Sequence, residues 1–201
     1  IFALFISSNV GVWSAIYSIA LGVYFIFIAL LFRSLHNKVK KYNPACVGTA
    51  VHKFIEVCDL EKLHQNGIEA ELDRLVAEGG FSSDEADYVK LRSDEIETFR
   101  RSDIFREMRQ AKKLHREYHI KPTSKGGEGS IIDCIIINKN DDIKIADFKT
   151  DRQPEEQFIE EYSSQLFRYK SAVLQNFGKS PASMEVYSFY LGKSIPIQIN
   201  E

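Results

Sequence analysis

The chain has 201 residues, enough for one ordinary domain and an additional segment. A formal net charge of −2 and a pI near 6.3 exclude a protein that holds nucleic acid by bulk charge, so any such contact must be local. The three cysteines, Cys46, Cys58 and Cys134, lack CxxC spacing, which argues against a disulfide framework or a zinc knuckle and for reduced, cytosolic chemistry.

The chain opens on Ile1 rather than Met, as expected for a piece of a longer protein or a processed product. From Ile1 to Phe32 there is no charged residue, and from Gly11 onward the run is dense in Ile, Leu, Val, Ala and Phe. That suits a membrane helix, which takes about 20 apolar residues. Arg33, His36, Lys38, Lys40 and Lys41 follow, and such a cluster would hold this end on the cytoplasmic side, anchoring the chain to the inner face of a membrane. A helix buried against another domain, or a stretch foreign to this one, is the other reading. A cleaved signal peptide fits less well, because its charges should precede the apolar run. Asn43 and Pro44 mark a boundary, giving an apolar and basic segment over 1–44 and a folded domain over 45–201.

Gly48 to Asp59 reads as a helix, with Val51, Phe54, Ile55 and Cys58 as its buried stripe and His52 and Glu56 beside it on a shared face. Leu60 to Glu78 reads as a second helix ending at Gly79-Gly80, and Ser83 to Lys113 as a third, opened by Ser82, Ser83, Asp84 and Glu85. A basic run from Arg106 through Arg109, Lys112, Lys113, His115 and Arg116 to Lys121, with Lys125 beyond, is the one local candidate for contact with nucleic acid. The period then changes to two. Arg116 to Lys121, Ser130 to Ile137 and Ile143 to Lys149 read as strands, with a polar turn over Asn138 to Asp142. Glu155 to Asn176 returns to helix, and Ser183 to Leu191 and Ile195 to Ile199 read as closing strands.

Strand side chains alternate between faces, so Asp147 and Lys149 are neighbours. If Ile131 to Ile137 and Ile143 to Lys149 form a hairpin, the simplest pairing sets Ile137 against Ile143, Asp133 against Asp147 and Ile131 against Lys149. Two carboxylates and an ammonium then share one patch of an apolar sheet. Opposed carboxylates repel unless a cation lies between them, and Mg²⁺ suits an oxygen-ligand site completed by water and phosphate. Such a metal would make water easier to deprotonate and offset transition-state charge, with Lys149 orienting or deprotonating the water or stabilising the transition state.

The segment Gly129-Ser-Ile-Ile-Asp133, followed by Ile145-Ala-Asp147-Phe-Lys149-Thr-Asp151-Arg152, resembles the nuclease signature of RecB-like and AddA-like PD-(D/E)XK exonucleases. Gly48-Thr-Ala-Val-His52 resembles that family's Gly-x-x-x-His helix motif, Arg116-Glu117 its Arg-Glu strand, and Gln165-Leu-Phe-Arg-Tyr169 its Gln-x-x-x-Tyr helix motif. The likeness runs in order from about Gly48 to Ile199. It implies an α/β fold of the restriction-endonuclease-like kind, a central mixed β-sheet flanked by helices, here with an apolar N-terminal helix. It also implies His52, Asp133, Asp147 and the Phe148 carbonyl as metal ligands, and Lys149 as catalytic with Glu117 as an acidic accessory. Gln165, Tyr169, Thr150 and Arg152 would position the site or the strand. No iron-sulfur cluster is expected, since three scattered cysteines cannot build the four-cysteine kind. No GxxxxGK[ST] phosphate loop occurs, so any helicase motor lies outside this chain.

These readings converge on a Mg²⁺- or Mn²⁺-dependent deoxyribonuclease, an exonuclease on single-stranded or unwound DNA ends in recombination or repair. Two others compete with it: a catalytically silent nuclease-like module for DNA binding or scaffolding, and a membrane-tethered sensor or adaptor whose business is Ile1 to Phe32.

Overall fold

The computed structural model describes residues 17–33, 43–120 and 129–198. They belong to two units, Ile1–Asn43 and Pro44–Glu201. In the first, α1 runs over residues 17–33 with most of its side chains exposed. Residues 1–16 of the expected span lie outside the described residues. Among the described residues no helix is long and apolar enough to cross a membrane, so the spanning helix expected from Ile1 to Phe32 is not found there. The basic cluster from His36 to Lys41 and the expected loop at Lys125 lie outside the described residues.

The second unit opens with α2 (Pro44–Val57), where proline at the first helical position costs no hydrogen bond. Its buried side chains, Val47, Ala50, Val51, Phe54 and Ile55, recur at helical spacing. The next helix, α3 (Leu60–Ala77), is capped by the Asp59 carboxylate, which accepts from the N–H groups of Glu61 and Lys62, and it kinks at Gly67. The single helix expected over Ser83 to Lys113 is three: α4 (Ser83–Lys90), α5 (Ser93–Arg100) and α6 (Asp103–Gln110). Serine explains one of the two breaks. Ser82 opens the series with a reciprocal capping box to Glu85, and Ser102, in mid-pattern, accepts from the Phe105 N–H and starts α6, whereas the break at Arg92 has no side-chain cap.

Five strands form one sheet in chain order: β1 (Lys113–Ile120), β2 (Ser130–Ile137), β3 (Ile143–Lys149), β4 (Ser183–Ser188) and β5 (Lys193–Pro196). All neighbours are antiparallel except β3 and β4, which run parallel and are joined by α7 (Glu155–Phe177). A parallel pair needs such a crossover, and Gly178 in the left-handed region ends the helix. The expected α/β architecture, a mixed sheet flanked by helices, is therefore the one observed.

The sheet separates two buried clusters. On one face Cys134, Ile136, Ala146, Phe148, Tyr187 and Phe189 pack under α2 to α6, and on the other Ile135, Ile145, Met184 and Val186 pack against Phe158, Leu166, Tyr169 and Val173 of α7. Phe99 of α5 is the hub of the first, with ring centroids 5.1 to 5.6 Å from those of Phe105, Phe148, Tyr187 and Phe189. Phe99→Ala should cost about 3–5 kcal/mol, read as a lower denaturation midpoint at unchanged m-value. A loss below about 1 kcal/mol would show that this aromatic hub does not anchor the helical layer to the sheet.

Candidate active site

Asp147 lies near the end of β3, flanked by β2 and β4, and is 0% exposed. Lys149 Nζ approaches its Oδ2 to 2.8 Å, yet neither carboxylate oxygen accepts a hydrogen bond among the described residues. The contact is charge on charge without hydrogen-bond alignment. The Lys149 ammonium also sits 4.4 Å from the centre of the Tyr162 ring, whose hydroxyl donates to Asp151 at 3.0 Å.

Asp133 enters from β2. The hairpin pairs Ile137 with Ile143 and continues to Cys134 with Ala146, the register expected from sequence. The ladder stops there, one step before Asp133 and Asp147, and Ile132 joins the cluster of Ile135 rather than that of Cys134 and Ile136. Strict alternation therefore fails at Asp133. Where the strands part, Asp133 Oδ2 accepts the Phe148 N–H at 2.8 Å, which ties Asp133 to the residue between Asp147 and Lys149. Burial first, and then the Asp147 charge, push the Asp133 carboxyl up to about 7.

His52, on α2, brings Nδ1 to 3.5 Å from the same Asp133 oxygen. Burial, and then the Lys149 charge, hold its pKa below the ordinary value, which favours the neutral imidazole that can act as a ligand. Glu117 lies across from Asp133, between the pairs Arg116 with Cys134 and Tyr118 with Ile132. Its φ of 48° is in the left-handed region, a strained setting for a glutamate. Burial and then the Asp133 charge raise its pKa. Ligand atoms of His52, Glu117 and Asp133 lie within 4.8 Å of one another. Carboxylates raised by burial and by their neighbours' charge, a neutral imidazole and a buried carboxylate with unbonded oxygens form a donor set that fits an oxygen-preferring divalent cation.

The remaining expected residues fall into two groups. Tyr169, buried on α7, has its hydroxyl pushed up to about 12 by burial and then by the Asp147 charge, and Gln165 Nε2 donates to it at 2.6 Å. Both thus belong to the neighbourhood of Asp147. Thr150 instead meets α2: a Cβ on Gly48 would lie 2.9 Å from Thr150 Oγ1, so glycine lets that helix come close. Arg152 stands apart, against Glu95 at 3.5 Å and the Tyr190 ring at 5.5 Å. Among the described residues, members of the basic run are drawn to separate partners. Arg106 pairs with Asp103, Arg109 with Glu61 and Lys112 with Asp141, while Arg116 donates to the carbonyls of Ile55 and Cys58. Tyr162 was missed by sequence reasoning, although it shares a helix face with Gln165 and Tyr169 at spacings of three and four.

The model of the PD-(D/E)XK nuclease superfamily matches residues 29–198. The chain belongs to that superfamily. Its Asp147-Phe-Lys149 stretch has the order that the superfamily's name spells. Similar proteins include an ATP-dependent helicase/nuclease subunit of Clostridium botulinum, 31% identical over 79% of this chain and 14% of that protein. The ATP-dependent helicase/nuclease subunits of the same kind from Ligilactobacillus salivarius and Clostridium beijerinckii are 30% and 29% identical, over 77% and 79% of this chain and 14% of each relative. The chain thus spans about one-seventh of the length of these relatives.

Without a cation, the folded-state pKa of Asp133 lies above its unfolded value, so its ionisation opposes folding as pH rises from about 4 to about 7. A divalent cation should therefore raise Tm more at about pH 8 than at about pH 5. At a hundredfold excess over Kd the linkage amounts to about 2.7 kcal/mol, or roughly 5–10 °C in a chain of this size. Equal shifts at both pH values, read by calorimetry, would remove Asp133 from the cation-holding set.

Proposed function

We propose that this chain is the nuclease module of a longer helicase–nuclease, hydrolysing DNA phosphodiester bonds with a divalent cation, Mg²⁺ or Mn²⁺. The observation that carries this reading is the convergence toward one end of the sheet of Asp147, buried and, among the described residues, unbonded beside Lys149, with Asp133, Glu117 and His52. His52, Glu117, Asp133 and Asp147 would hold the cation. Bound there, it would supply positive charge that makes water easier to deprotonate and offsets charge developing on the scissile phosphate.

The protein's own groups set the geometry. The Phe148 N–H fixes the Asp133 carboxylate, and Asp147 together with the Tyr162 ring fixes the Lys149 ammonium. Lys149 is thereby placed to orient the attacking water or to donate to a phosphate oxygen. Attack by water at phosphorus breaks one P–O ester bond, and the departing oxygen takes up a proton. Tyr169, tied to Gln165, closes the α7 side and positions the site or the strand.

The relatives' names describe ATP-dependent helicase/nuclease subunits. By that likeness the substrate is an unwound DNA end, the mode is exonucleolytic, and the setting is recombination or repair, with a helicase motor supplied outside this chain. The test is degradation of a fluorescent single-stranded oligonucleotide with Mn²⁺ and with EDTA. Asp147→Asn and Lys149→Ala should each slow cleavage on the order of 10²- to 10⁴-fold while leaving the fold intact. Cation-dependent cleavage retained in both variants would sink the reading.

A further inference from the structure

Beyond the metal-holding cluster, the carboxyl ends of β3 and β4 carry a second feature. The two strands leave the sheet as parallel neighbours: Lys149 pairs with Ser188, and the Phe189 N–H donates to the Lys149 carbonyl at 2.9 Å. The next residue is Tyr190, an aromatic ring left 49% exposed at the end of the sheet where ligands of open α/β folds collect. Arg152, three residues beyond Lys149, sets its guanidinium 5.5 Å from the centre of that ring.

Two observations separate this pair from an ordinary surface contact. The first is charge. Glu95 takes a 2.6 Å bond from the buried Arg92 and meets Arg152 only at 3.5 Å, through the same oxygen. Asp151 is occupied by Tyr162. One carboxylate thus faces two guanidiniums, and Arg152, with its side chain 60% exposed, keeps a positive charge toward solvent. The second is rigidity. The turn carrying Tyr190 is pinned by Leu191 N–H to Ser188 Oγ at 3.1 Å and by Gly192 N–H to the Ser188 carbonyl at 2.9 Å. Gly192 takes a φ of +64° and lies so close to α5 that a Cβ would stand 2.9 Å from Thr98 Cγ2. One helix therefore fixes both partners, Arg152 through Glu95 and the Tyr190 turn through Thr98.

We propose that Tyr190 and Arg152 form a nucleotide platform at the carboxyl ends of β3 and β4, the strand ends that also carry Asp147 and Lys149, with a base stacking on the Tyr190 ring and a phosphate facing Arg152. The inference rests on the nuclease reading and deepens it. A base can stack on a protein ring only when it is free of its own duplex partner and neighbour, so the platform selects a nucleic acid that is single-stranded beside the scissile bond. Stacking reads no hydrogen-bond pattern, so the selection is for strandedness and not for sequence.

The experiment uses the whole 201-residue chain in EDTA, with an oligonucleotide carrying 2-aminopurine at successive positions. Wild type should quench the probe at one position and bind single strands more tightly than duplex. Tyr190→Ala should abolish that quenching and weaken single-strand binding about tenfold, with duplex affinity unchanged, whereas Tyr190→Phe should match wild type. Arg152→Ala should lower the slope of log Kd against log salt by about 0.7. Unaltered quenching and affinity in Tyr190→Ala would overturn the platform even if the protein cleaves DNA normally. Quenching that depends on Tyr190 in a protein that never cleaves with Mn²⁺ would uphold the platform and overturn the hydrolytic reading.

Discussion

The Asp147 carboxylate is enclosed by its own sheet with, among the described residues, no hydrogen bond to either oxygen, and the surrounding side chains are arranged about that charge. Removing a carboxylate from water costs several kcal/mol, and one lysine contact without hydrogen-bond alignment does not offset it. Burial raises Asp133 and Glu117, and the same charge adds to the rise at Asp133 as Asp133 adds to it at Glu117. Nothing in the packing requires this. A Val or Leu at position 147 would suit an interior strand lined by Ile145 and Val186 far better. Carboxylates crowded at a cost to folding mark a place where sequence serves chemistry and not stability.

Three elements deliver side chains to that strand, each by a different device. Glycine at position 48 lets α2 approach the end of β3 at Thr150, which brings His52 within reach of Asp133. A left-handed backbone at Glu117 allows an edge strand to contribute a carboxylate opposite Asp133. The parallel pairing of β3 with β4 obliges the chain to cross back over the sheet, so α7 lies on the face where Asp147 and Lys149 point. Tyr162, Gln165 and Tyr169 then reach the site from one helix face.

What was legible in the sequence follows the range of the interactions concerned. The hairpin register was readable because alternation and a short polar turn fix it locally, and Ile137 does pair with Ile143. The ordered motifs pointed to the superfamily, and the period change near residue 113 marked the passage from helices to sheet. The division of the third helix was less visible, since the breaks at Arg92 and Ser102 fall within a continuing amphipathic pattern. The fate of the basic run could not be read at all: the partners of Arg109, Lys112 and Arg116 are Glu61, Asp141 and two α2-end carbonyls, 29 to 61 residues away in the chain. The apolar composition of Ile1 to Phe32 suggested a membrane span, which finds no support among the described residues, where no helix is long and apolar enough to cross.

Arg116 and Glu117 show how one dipeptide serves both faces of an edge strand. The Arg116 guanidinium donates through Nη1 to the carbonyls of Ile55 and Cys58, at 2.9 and 2.7 Å. These are end carbonyls of α2, and a cation there also complements the helix dipole. The bonds tie β1 to the helix that carries His52. With that spacing set, the left-handed turn at Glu117, a strain of about 1–3 kcal/mol, brings its carboxylate to His52 and Asp133 without moving the strand. Hydrogen bonds from a charged donor contribute roughly 1.5–3 kcal/mol each, enough to hold such a conformation. The arginine is thus a positioning residue and the glutamate beside it a candidate ligand, which gives a physical reason for the two to occur as adjacent residues.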